Sequence, residues 1–356
     1  MSKGTRNISD DMSCKISHLM FVLSILVIYI HFVDYNYVNV PTFQWEYTFE
    51  YFVSSCLGRA AVPLFFFISG YLCFSKKEIT AKTLVAAYKT KIRTLVIPYL
   101  LWNIFYTLIL VFLQRNALGQ MENLLGVILR SVFLYGSNGV LWYVFQLIIL
   151  TAISPLLFYI YRNKYIALAF TVFACGAYIF ISNPPIWLPL FGLAFYSIGA
   201  TIALHFRKLV DSSSWDKRNK KIIGVAALCI FVVFCVLRMT LFDITRSIHV
   251  ARETPLCRFL ETGLAICFWF AIDLLEMSKK SVRSFERCSF LIYVTHNLAI
   301  TVVNALIKIV HLNMTPILRF MIYLIGPILI TLAVVLVSGL LRKIAPKFYA
   351  LISGGR

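Results

Sequence analysis

Among the six histidines of the chain, His31 sits at the end of the apolar run Leu26–Asp34 (LVIYIHFVD). The 18 residues Ile16–Val33 contain no Asp, Glu, Lys or Arg, which is the length of a membrane-crossing helix. An ionisable side chain in such a run is costly and usually faces a partner or a watery cavity. An imidazole titrates near neutral pH, so His31 could act as a base toward a hydroxyl. The same position also suits an interfacial residue whose polar tip reaches the headgroups. Arg59 opens a second distinctive stretch, RAAVPLFFFISGYL (59–72), interrupted by Ser69, Gly70 and Tyr71. Small residues in a span let helices approach closely, so Ser69-Gly70 also reads as a packing contact. Lys89, Lys91 and Arg93 could hold the phosphates of an anionic donor. They could equally be cations that orient the chain in a bilayer. Arg258 and Glu261 share one helical face, where they could form an ion pair or let Glu261 polarise an imidazole. His296 and Asn297 lie one turn beyond the basic segment 278–288. His296 is therefore expected near the inner leaflet, away from His31.

The elements that must carry these residues are membrane helices. Of the 356 residues 60% are apolar and only 14% charged, where a soluble protein would be about half apolar and about a quarter charged. Ten apolar runs are predicted to span: Ile16–Val33, Ala60–Phe74, Thr94–Leu113, Val140–Tyr161, Tyr165–Ile181, Ile186–Phe206, Ile222–Met239, Cys257–Met277, Ser289–Val310 and Pro316–Leu341. Met121–Tyr135 is short and carries Glu122 and Arg130, so it is expected to lie at the interface or to re-enter. With ten spans and both termini cytoplasmic, the inner segments 1–15, 75–93, 162–164, 207–221, 278–288 and 342–356 hold 25 of the 34 lysines and arginines. That asymmetry is the positive-inside bias, and it accounts for the net charge of +19 without nucleic acid. An eleventh span would reverse it. The nine cysteines are scattered through apolar runs with no metal-ligand spacing, so neither a disulfide framework nor a metal site is expected. The first helix reads as retained, since no small-residue cleavage site follows it. Residues 1–356 thus read as one all-α, polytopic membrane domain. Trp102, Trp142, Tyr143 and Trp187 are assigned to an aromatic belt, with a sugar-facing wall as the alternative. Asn103 and Gln146 are assigned to hydrogen bonds between helices.

Five pieces, in order, carry a resemblance: VIYIH ending at His31, RAAVPLFFFISGYL, KIRTLVIPYLLW (91–102), VLWYVFQLI (140–148) and SFLIYVTH (289–296). Together they resemble the acyltransferase 3 family, bacterial membrane enzymes that O-acylate glycans and related acceptors. The resemblance implies a multi-pass protein of the bacterial cytoplasmic membrane that uses acyl-CoA, most simply acetyl-CoA, as donor. The acceptor would be a hydroxyl of a cell-surface or lipid-linked glycan. His31 would be the essential first-helix histidine. Arg59, Ser69 and Tyr71 match the second-span motif, Lys91 and Arg93 the basic pair entering the third span, and Tyr293 and His296 the late Tyr-x-x-His. Many members place an Asp and an Arg fourteen and eleven residues before the histidine; here those positions are Ser17 and Met20. Two other readings stand beside this one. A transporter or flippase would line a path with the intramembrane charges. A non-catalytic scaffold or sensor would tolerate loss of His31, Arg59 and Arg93.

Overall fold

The structure, a computed structural model, describes residues 8–32, 44–76, 79–113, 126, 129, 139–182, 184–185, 187–211, 215–245, 254–311 and 315–355. Met121–Tyr135 lies almost wholly outside the described residues. Among those described, the secondary structure is helical. In chain order the α-helices are Asp10–Phe32 (α1), Gln44–Tyr51 (α2), Ala61–Phe74 (α3), Ala81–Ala86 (α4), Tyr88–Lys91 (α5), Ile97–Leu113 (α6), Trp142–Ala152 (α7), Ser154–Tyr161 (α8), Lys164–Phe180 (α9), Leu190–His205 (α10), Lys217–Thr245 (α11), Pro255–Ala271 (α12), Ser289–Ile309 (α13), Pro316–Ile344 (α14) and Pro346–Ser353 (α15). Short polar caps start several of them. Ser9 accepts from the Met12 amide ahead of α1, Asn163 from those of Tyr165 and Ile166, and Thr254 and Thr315 from amides three residues on. Each cap satisfies amides that a first helical turn leaves without a partner.

All ten predicted runs are helical, but not all are full spans. Seven helical units are long and apolar enough to cross a membrane. The run Val140–Tyr161 is bent by 65° at Ile153. The cause is Pro155, which has no amide to give and whose ring collides with the carbonyl a turn earlier. With that pair taken as one span the number is eight. The remaining two, α9 and α10, are shorter apolar helices.

One end of the bundle gathers the segments that charge counting assigned to the inner side. Lys15 bonds to Asp273 at 2.9 Å, both side chains buried, and lies 4.2 Å from the centre of the Trp269 ring. His18 meets Glu286 at 2.8 Å and the Lys280 carbonyl at 3.0 Å. Ser9 donates to Asp211, Arg342 to the Ser284 carbonyl and the Tyr349 hydroxyl. At the opposite end Arg319 meets Glu50 at 2.5 Å, and the Tyr323 hydroxyl donates to the Glu50 carbonyl.

Between these ends, α3 and α10 touch backbone to backbone. A Cβ on Gly70 would sit 2.2 Å from the Tyr196 carbonyl oxygen, and one on Gly199 would sit 2.1 Å from that of Phe67. Gly70 is therefore a packing residue. Gly70→Ala and Gly199→Ala are each expected to force α3 and α10 apart and cost about 1–3 kcal/mol. Thermal unfolding of the detergent-solubilised chain measures this, and the exposed Gly139, which has open space around it, serves as a control.

Candidate functional site

The bonds from Lys15 and His18 place α1 and α13 side by side, starting from the same level. From His18 to His31 α1 rises about 20 Å, and from Glu286 to His296 the chain rises about 15 Å. The rings of His31 and His296 meet with centroids 5.2 Å apart and planes tilted by 35°. The expectation that His296 would lie apart from His31 is thus corrected. Each histidine had been placed by its distance from the end of its own helix, and α1 ends where α13 has about 20 Å still to run. His31 is therefore deeper in the bundle than its position in the first run suggests.

The two rings differ in surroundings. His31 is exposed, whereas His296 is fully buried at 0%. The Nδ1 of His296 faces the Tyr293 carbonyl, which only accepts, so in the neutral ring Nδ1 carries the proton. Its Nε2 is then an acceptor, buried and with no hydrogen-bond partner among the described residues. Tyr293 holds the turn below it. Its hydroxyl donates to the Val140 carbonyl, and its ring lies 5.5 Å from Tyr143 and 5.9 Å from His296. The Tyr143 hydroxyl meets Ser69 Oγ at 3.3 Å. Ser69 thus reaches the histidines through two tyrosine rings. Tyr106 accepts from the Leu298 amide and donates to the Val294 carbonyl, fixing α6 against the same turn.

This arrangement changes several assignments. Tyr143 is buried against Phe65 and Phe66 and lines the site instead of forming a belt. Trp102 is buried and donates to the Ile352 carbonyl, and Trp142 packs on Phe66 and Phe191; Trp187 is exposed. Gln146 does bond between helices, to the Gly192 amide at 3.2 Å. The amide nitrogen of Asn103 instead returns to the Tyr99 carbonyl of its own helix.

Lys89, Lys91 and Arg93 stand at the basic end, apart from the histidines. Lys89 and Arg93 are exposed and Lys91 is half-buried. Beside them the Tyr88 hydroxyl bonds to the Ala152 carbonyl, and Ala152 lies about 13 Å along α7 from Tyr143. Arg93 falls in a π-helical turn, Ile92–Val96, and Arg59 follows another, Phe52–Leu57. Such turns displace a helix by one residue and recur at functional sites. Tyr71 is buried and stacks on Phe67.

Arg59 connects the histidine end of α1 to a second polar group. Its neighbour Gly58 abuts Ile30, where a Cβ would meet Ile30 Cγ1 at 2.6 Å. The turn Gly58–Ala60 that carries Arg59 also packs on α12. Glu261 accepts from the Tyr178 hydroxyl at 2.9 Å, and Arg258 donates to the Tyr178 and Ile181 carbonyls at 3.0 and 2.7 Å. Phe191 and Phe66 stand between Tyr178 and Tyr143. Glu261 thus accepts from Tyr178, with Phe66 and Phe191 between that tyrosine and Tyr143. Arg238, buried to 1%, donates to the Cys257 carbonyl, one residue before Arg258, and is not among the candidate residues singled out above. The signal was present, because it is the single charge in Ile222–Met239.

The family model for the acyltransferase domain matches residues 16–336, nearly the whole chain. The chain belongs to the acyltransferase 3 family and is a multi-pass membrane acyltransferase. No curated protein and no solved structure matches it.

Tyr293→Phe keeps the ring contacts but leaves the buried Val140 carbonyl without its donor. The expected cost is about 1–3 kcal/mol. Thermal unfolding of wild type and variant in the same detergent checks it.

Proposed function

We propose that the protein transfers an acyl group, most simply acetyl, from acyl-CoA to a hydroxyl of a cell-surface or lipid-linked glycan, in the bacterial cytoplasmic membrane. The observation that carries this reading is the histidine pair inside the bundle, with His31 exposed and His296 sealed behind it. His31 takes the proton from the acceptor hydroxyl as its oxygen attacks the thioester carbonyl. The tetrahedral intermediate then collapses, the C–S bond breaks, and the departing thiolate receives the proton from His31. His296 keeps Nδ1–H on the Tyr293 carbonyl, which leaves Nε2 of the neutral ring as an acceptor beside His31. Arg59, next to the last turn of α1, supplies a cation for the developing oxyanion.

The donor enters at the basic end, where Lys89, Lys91 and Arg93 hold its phosphates. Because His31 lies about 20 Å along α1 from His18 at the basic end, the thioester arm has that distance to cover instead of a whole membrane thickness. Ser69 and Tyr71, on the helix between the two ends, flank that route. The family assignment leaves the transporter and scaffold readings without an observation of their own.

His31→Ala is expected to lower acyl transfer by about 10²–10⁴-fold, the usual contribution of a general base. Membranes supplied with labelled acetyl-CoA measure the transfer, and undiminished labelling of glycan by the variant would sink the assignment. A paired Lys91→Ala/Arg93→Ala variant is expected to raise KM for acyl-CoA with a smaller change in kcat.

A further inference from the structure

Pro98 stands four residues after Thr94, so the Thr94 carbonyl has no amide to meet at the usual helical spacing, and the proline ring crowds it. The chain answers with the π-helical turn Ile92–Val96, in which the Ile97 amide donates back to the Ile92 carbonyl. A turn of this kind holds one extra residue. Its relaxation to an ordinary helix would swing the preceding segment by about 100° around the axis of α6. Lys91 opens the turn and Arg93 lies within it, so the state of the turn decides the face on which both cations emerge.

The support for this turn comes from the other end of the sequence. Helix α15 packs on α6, on the π-helical turn itself and on α13 and α14. Trp102 Nε1 donates to the Ile352 carbonyl at 3.0 Å, and Arg342 donates to the Tyr349 hydroxyl at 2.7 Å. The helix ends on Gly354, buried at φ 71°, whose amide returns to the Ala350 carbonyl. A Cβ on Gly354 would lie 2.3 Å from the Thr94 carbonyl oxygen, the one that Pro98 cannot serve. Only glycine allows both that φ and that approach. We infer that α15 is a positioning element for the donor: through Gly354 and Trp102 it holds the π-helical turn open, and so sets the face on which Lys91 and Arg93 meet the phosphates of acyl-CoA. This rests on the donor-binding reading above and deepens it. Gly354 and Trp102 touch no substrate and act through the two cations.

The test uses the whole chain in phosphatidylcholine nanodiscs, with acetyl transfer from acetyl-CoA to a methyl glycoside and equilibrium binding of coenzyme A as separate readouts. Gly354→Ala is expected to raise KM for acetyl-CoA about tenfold, as loss of one charge-assisted bond to phosphate implies, with little change in kcat or in KM for the glycoside. Gly355→Ala is the control: its φ is +72° but nothing lies near its Cβ, so the same backbone strain leaves the donor KM unchanged. Trp102→Phe keeps the ring and loses only the N–H, and it raises the donor KM in the same direction by a smaller factor. It also serves where Gly354→Ala does not fold. A rise in donor KM for Lys91→Ala/Arg93→Ala, with wild-type values for Gly354→Ala and Trp102→Phe, overturns the positioning role and leaves donor binding standing. Equal rises in Gly354→Ala and Gly355→Ala assign the effect to backbone strain and overturn it too. So does a Gly354→Ala variant that loses donor and glycoside affinity alike. Unchanged donor KM and coenzyme A binding in Lys91→Ala/Arg93→Ala fail the donor-binding reading itself, and the positioning role falls with it. If no acetyl transfer is seen, coenzyme A binding by the same variants decides between these outcomes.

Discussion

The pairing of α1 with α13 at one end of the bundle governs what happens in its middle. Lys15 and His18 bind Asp273, Glu286 and the Lys280 carbonyl, and these contacts set the vertical register of the first helix. Removing one partner of a buried charge pair typically costs more than an exposed pair ever contributes, so the register is firmly held. With it held, a histidine at the end of one helix and a histidine early in another arrive at the same height. The Lys15–Asp273 pair places buried charge at that end.

A second constraint acts laterally. Gly70 and Gly199 bring α3 and α10 into backbone contact, which leaves the aromatic residues around them to fill the space on either side. Phe66 then wedges against Tyr143, and Tyr143 against Tyr293, so the turn bearing His296 is held by rings on two neighbouring helices. Aromatic edges suit this work because they bury a large area with few rotatable bonds. The same stack separates the histidines from the arginine group around Glu261, so the interior contains two polar regions with an apolar partition.

Much of the fold was legible in the chain because lipid tolerates few alternatives. Backbone groups in hydrocarbon must bond internally, so each long apolar run becomes a helix, and the basic segments between them share one end. Lengths were less legible: Pro155 bends a run that hydropathy treats as continuous. In the site, His31 was visible as an ionisable residue out of place, and Ser69 and Tyr293 as parts of ordered motifs. Tyr143 was hidden because a tyrosine near a helix start reads equally well as a belt residue. Arg258 and Glu261 were recognised as neighbours on one face, but a helical face does not reveal which third residue fills it. That residue is Tyr178, from a helix some eighty positions earlier.

By itself the sequence determined the class of protein, the helical architecture, the shared end of the basic segments and the identity of His31 as the residue to explain. Hydrophobicity and charge are read by the bilayer one segment at a time, so a linear chain suffices for these. The tertiary structure alone decided that His31 and His296 meet and that the Tyr178 hydroxyl donates to Glu261. Those outcomes depend on the vertical register between helices, which buried ion pairs and glycine contacts distant in the sequence set together.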